Sequence, residues 1–225
     1  MSYFKAIQGR LLELGFNPGP IDGLRGPKTD AAIVAFKRSV GLRPRPYLGP
    51  LTIAAIMTRP SERRGQAPWM AEASAIRGLH EARDTSLLRQ WFDKSVSWID
   101  PREVAWCGAF VATCHRKALP GIDLPKNSLG ARNWQRWGQE VKPILGATLV
   151  FWRGSKAAWQ GHVGFYHGED ATHFHVLGGN QRNSVNVTRI AKNRLLSARW
   201  PRNEKVTGKA VLVASNGTPI SNNEA

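Results

Sequence analysis

Cys107, in Trp106-Cys107-Gly108-Ala109-Phe110-Val111, opens a segment that reads as a buried helix. His162, in Gly161-His162-Val163-Gly164-Phe165-Tyr166, opens an alternating strand some fifty residues later. A thiol at a helix start and an imidazole at a strand start can form a nucleophile–base couple, the arrangement of thiol hydrolysis. The positive end of the helix is expected to favour the thiolate. Gly108 and Ala109 leave room for a carbonyl, and the backbone N–H of Cys107 is a natural oxyanion donor. A third group should orient the imidazole. Asn180, in Gly178-Gly179-Asn180-Gln181, is the first candidate, with His175 its main rival and Gln181 next. Trp106, Asn133 and Trp152 are candidates for the wall of a substrate cleft. Cys114, after Val111-Ala112-Thr113, fits a buried small hydrophobe.

Several elements must position these groups. Apolar residues at Phe4, Ile7, Leu11, Leu12 and Leu14 have helical spacing, and Gly15 is placed to end that helix. Turn residues crowd Asn17-Pro18-Gly19-Pro20-Ile21-Asp22-Gly23. Pro27 suits the first turn of a second helix, which Gly41-Leu42 ends. Gly49-Pro50-Leu51-Thr52 starts a third, through Ile56. Residues 59–68 are polar with two prolines and read as a linker. Beyond them, helices are expected over Met70–Leu79, Ser86–Phe92 and Cys107–Leu119. From Gly146 the period changes to that of strands: 147–153, 162–167, 172–177, 184–190 and 195–200, with a hairpin turn at Gly168-Glu169-Asp170. Helices followed by consecutive short strands predict an α+β fold with an antiparallel sheet. Residues 203–225 read as a polar tail in which Ala210–Ala214 could add a strand.

The chain has 225 residues, of which 42% are hydrophobic, enough for one ordinary domain and a small one. Its 32 Lys and Arg outnumber 16 Asp and Glu, giving a formal net charge of +16. Such a surplus favours polyanionic partners, nucleic acid or an acidic bacterial envelope among them. The charge is spread out, with nine basic and three acidic residues in 1–60 and the remainder beyond. No block of like charges forms a basic tail, so nucleic acid is not expected as a partner. Cys107 and Cys114, seven positions apart on one helix, would sit roughly 10 Å apart, beyond the ~7 Å a disulfide spans. The N-terminal residues lack the layout of a signal peptide, and no apolar run approaches a membrane span. The expectation is synthesis in the host cytoplasm, with release to the cell wall or periplasm by another agent, as a monomer.

Two stretches carry family resemblances. LLELGFNPGPIDGLRGPKTDAAIVAFKRSVGL resembles the three-helix peptidoglycan-binding domain at one end of many wall hydrolases, over residues 4–57. AWCGAFV, GATLVFW, GHVGFY and VLGGNQ, in that order, resemble the CHAP amidohydrolases and the wider NlpC-type cysteine peptidases, over residues 69–201. Many relatives carry Gly-Asp ahead of the first strand, where this chain has Gly146-Ala147. The second resemblance implies a papain-like α+β domain with Cys107 as nucleophile, His162 as base and Asn180 in the orienting place, and no metal or other cofactor. Together they imply a three-helix domain over 1–58, a catalytic domain over 69–202, and an endolysin-like peptidoglycan hydrolase, either an N-acetylmuramoyl-L-alanine amidase or an endopeptidase.

A zinc amidase would need ligand spacing that Cys107, Cys114, His115, His162, His173 and His175 do not match. A secreted or injected antibacterial toxin would use the same chemistry. A non-catalytic wall-binding protein would tolerate Cys107→Ala.

Overall fold

The structure, a computed structural model, describes residues 3–14, 16–58, 67–213 and 220. It divides into two compact units, Met1–Gly65 and Gln66–Ala225. Gly15, most of the linker (59–66) and most of the tail (214–219 and 221–225) lie outside the described residues.

The first unit holds α1 (Tyr3–Glu13), α2 (Pro27–Ser39) and α3 (Pro50–Thr58). Ile7, Leu11, Ile33, Phe36 and Ile56 meet in its core. Proline stands at the start of α2, where its missing N–H costs nothing. The helix ends as Gly41-Leu42 predicts: Gly41 takes φ +72, its N–H donates to Arg38 O, and the N–H of Leu42 donates to Lys37 O. Sequence reading gave Gln8 no role, yet it is buried on α1 and organises the turn-rich loop. Its amide donates to Leu24 O (2.9 Å) and Pro20 O (3.0 Å), and its oxygen accepts from Gly23 N (2.7 Å).

The second unit starts with α4 (Trp69–Ala75), α5 (Thr85–Trp91) and α6 (Cys107–Ala118). A 3₁₀ turn, Ala131–Arg136, and six strands follow: β1 (Gln139–Glu140), β2 (Thr148–Trp152), β3 (Gly161–Glu169), β4 (His173–Gln181), β5 (Ser184–Ala191) and β6 (Leu195–Trp200). They form one sheet in the order β1-β6-β2-β3-β4-β5, antiparallel throughout. The mixed helix and antiparallel sheet composition agrees with the α+β expectation. Strand β3 runs through Gly168 and Glu169, so the β3–β4 turn falls at Asp170–Thr172 rather than at 168–170. Asp170 stabilises it by accepting from the backbone N–H groups of Thr172 and His173. In the 203–213 segment Leu212 makes an isolated parallel bridge to Glu169.

Helix α6 is buried from Cys107 through His115, as its nearly continuous apolar run requires. Gly108 is what lets it seat. A Cβ there would lie 2.2 Å from Ser128 O and 2.5 Å from Leu129 O, both backbone atoms. We expect Gly108→Ala to destabilise the chain by about 1–3 kcal/mol, read as a lower urea midpoint at unchanged slope.

His115 packs among Trp69 (4.8 Å between centroids), Trp137 (4.6 Å) and Phe165 (5.3 Å). Its Nε2 bonds Thr148 Oγ1 at 3.0 Å, and Nδ1 has no protein partner. Burial pushes its pKa down to about 3. The folded chain therefore keeps this imidazole neutral while the unfolded chain binds a proton below pH ~6.5. Stability is full above that value and falls as pH drops towards 3, by up to about 1.4 kcal/mol per pH unit from this group. His173, lowered mainly by burial, adds to the same slope. Denaturant melts between pH 6.5 and 4.5 should show a shallower loss for His115→Phe than for the parent.

Candidate active site

Cys107 is the first residue of α6, and Trp106 at the N-cap offers no side-chain acceptor to the helix. Backbone N–H groups of Gly108 and Cys107 lie near the Cys107 sulfur and favour its anion. The N–H of Val163, the residue after His162, is directed at the same sulfur. The thiol thus rests against the start of β3, and the two motifs meet in space although they lie far apart in the chain.

The resting ionisation differs from the expectation. Burial dominates and raises the Cys107 pKa, against the N–H groups and the positive charge of Arg153, which act to lower it. A helix N-terminus favours the anion, but Cys107, only 6% exposed, loses more solvation than that field returns. The thiol at rest is protonated. Both cysteines are free, and Cys114 is buried in the hydrophobic core.

His162 opens β3 and is 1% exposed. Its Nε2 lies 3.0 Å from Gln181 Oε1. The Gln181 amide nitrogen donates to Val176 O (3.1 Å) and Asn186 O (2.7 Å), which leaves its oxygen for the ring. Nε2 must then carry the proton, and Nδ1 is the basic nitrogen. Asn186 is held in turn, donating to Gln181 O (2.6 Å) and accepting from Thr188 Oγ1 (2.7 Å).

The contact expected of Asn180 is therefore made by Gln181. The Gly178–Gln181 segment stays in β4, whose pairing with β5 is irregular between Gly178 and Gln181. Asn180 takes φ +56 there, and the tight turn comes after it, at Arg182 and Asn183. Spacing alone could not separate neighbours 180 and 181, because the irregularity decides which one faces the ring. His175 sits near the start of β4 and bonds Asp170 Oδ2 at 2.9 Å, alongside Arg189 at 2.7 Å.

The three cleft candidates have different fates. Trp106 has no exposed surface; it packs near Phe92 (6.1 Å) and Gly179, with its N–H on Glu81 Oε2 (2.9 Å). It belongs to the core rather than to a cleft wall. Trp152 is half-buried, pairs with Gly161 in register, and lies under Arg194 (5.5 Å). Asn133 is exposed and lines a groove. Among the described residues, no group of three or more His, Cys, Asp or Glu is placed to hold a metal, and no helix is long and apolar enough to cross a membrane.

Residues 2–56 match the family model described as "Putative peptidoglycan binding domain". The match lies in the first unit. No curated protein and no solved structure matches the chain.

Proposed function

We propose that the chain is a peptidoglycan hydrolase. The first unit holds the wall, and Cys107 of the second cleaves an amide bond of the peptide stem. The observation that carries this reading is the His162–Gln181 bond. It sets the imidazole tautomer with Nδ1 basic, on the strand whose next N–H is directed at the Cys107 sulfur.

The chemistry starts from the protonated thiol, with His162 as its base. His162 takes the thiol proton as the sulfur attacks the amide carbon. The oxyanion draws on N–H groups at the start of α6, the Cys107 N–H among them. The C–N bond breaks as His162 returns the proton to the leaving nitrogen. Water, giving its proton to His162, then attacks the thioester; the S–C bond breaks and the thiol is restored. Gln181 holds the ring through both half-reactions and supports the imidazolium that forms. The second unit would then be a papain-like domain of the CHAP or NlpC type, and the setting that of a phage endolysin.

Digestion of purified peptidoglycan, followed by mass spectrometry of the fragments, tests this. New L-alanine amino termini would define an amidase, and new termini deeper in the stem an endopeptidase. No release by the wild-type chain would end the hydrolase reading.

A further inference from the structure

A groove on the second unit is lined by Lys126, Asn127, Arg132, Asn133, Gln135 and Arg136, with Pro125. It holds three cations and no acid. The neighbouring groove shares Asn133 and Arg136 and is lined also by Asp123, Arg202 and Glu204. Among the described residues, neither Lys126 nor Arg136 has a carboxylate within ion-pair distance, and both are exposed.

The element that carries this groove is packed against the chain neighbours of Cys107 and His162. The carbonyls of Ser128 and Leu129 meet Gly108, next to the nucleophile. The Arg132 side chain crosses Gly161, next to His162, with its Cγ 3.0 Å from where a Cβ would stand. The Arg132 guanidinium donates to the carbonyls of Gln160 (2.9 Å), Lys156 (3.2 Å) and Ser155 (3.3 Å), which are dipoles without net charge. Its positive charge is held in place and not neutralised. Asn133 ties the far wall by donating to Asn127 O (2.7 Å).

We propose that this groove, on the segment whose backbone packs against Gly108, is a carboxylate-binding subsite in which Lys126 and Arg136 take the carboxylates of an acidic peptide stem. Arginine pairs with a carboxylate through two parallel N–H bonds, and a cationic groove without acids concentrates anions. The amides of Asn127, Asn133 and Gln135 supply donors and acceptors for the peptide backbone of the same ligand. The assignment of the stem as ligand rests on the hydrolase reading.

The test uses the full chain carrying Cys107→Ala, so that nothing is cut. The probe is a stem tetrapeptide from purified wall, compared by calorimetry at low salt with its fully carboxamidated form. The free acid should bind at least tenfold more tightly. Lys126→Gln with Arg136→Gln should bring the two forms within twofold of each other. With Cys107 restored, the double variant should raise KM for acidic fragments about tenfold and change kcat less than twofold. Its rate of thiol alkylation by iodoacetamide should not change. Should the double variant melt early, Lys126→Gln alone, on an exposed loop, should still lose part of the acid preference. Equal binding of acid and amide by the parent, or an acid preference that survives in the variants, overturns the subsite. If the wild-type chain cuts no wall while the preference appears and the variants remove it, the hydrolase reading fails and the subsite stands.

Discussion

Replacing Cys107 with Ala should abolish release of new amino termini from peptidoglycan, a loss on the order of 10⁴-fold or more, with the fold kept. The reason is chemical. Nothing else at the start of α6 can form the acyl intermediate, and the remaining N–H groups can only polarise a carbonyl. Cys107→Ser is expected to be nearly as inactive. It keeps the shape and a proton for His162, but a hydroxyl is a far weaker acid than a thiol, and the thiol here is already pushed up by burial. Cys114→Ala is the matched control. That residue is fully buried in the core, so its loss should lower stability by about 1–2 kcal/mol and leave kcat within a few-fold. Activity that survives Cys107→Ala and disappears in Cys114→Ala would reverse the assignment of the nucleophile. Activity that survives both would remove the thiol mechanism altogether.

The second large effect is expected at Gln181. Gln181→Leu removes the acceptor on His162 Nε2 and releases the ring to its other tautomer. A wrong tautomer costs roughly 10²–10⁴ in kcat where such a residue acts in a hydrolase. The same change leaves the Val176 and Asn186 carbonyls without their amide donor, so a stability loss of about 1–3 kcal/mol should accompany it. Gln181→Glu separates the two effects. It keeps an oxygen at the ring but adds a negative charge, which raises the imidazole pKa, so the acid limb of the kcat/KM profile should move to higher pH. Asn180→Gly retains the left-handed backbone of that position and should run close to wild type. If Asn180→Gly were the crippled variant and Gln181→Leu the mild one, the orienting role would return to Asn180.

The reversal between neighbours 180 and 181 shows where sequence reading stops. The types in Gly178-Gly179-Asn180-Gln181 announced a polar group near the imidazole. Which side chain reached it was decided by the irregular pairing of β4 with β5, and pairing irregularities have no reliable residue signature. Asn186 and Thr188 were invisible for a related reason. They lie on β5 and matter only because that strand pairs with β4. Trp106 fills the core, and an aromatic beside a nucleophile looks the same in sequence whether it lines a cleft or fills a core.

Local chemistry did determine much on its own. Proline at the head of α2, Gly41 at its end, the long apolar run of α6 and the strand alternation after Gly146 each follow from backbone preference and side-chain period. They made the two-part layout, the helices-then-sheet order and the Cys107 and His162 positions readable from residues alone. The rest depended on distance through space. The sulfur's resting protonation follows from burial by segments remote in sequence, and the Gln181 bond follows from strand register. In the cationic groove, Arg132 is held by the carbonyls of a loop more than twenty residues away. Desolvation, register and long-range hydrogen bonds are properties of the packed chain, so only the tertiary structure could decide them.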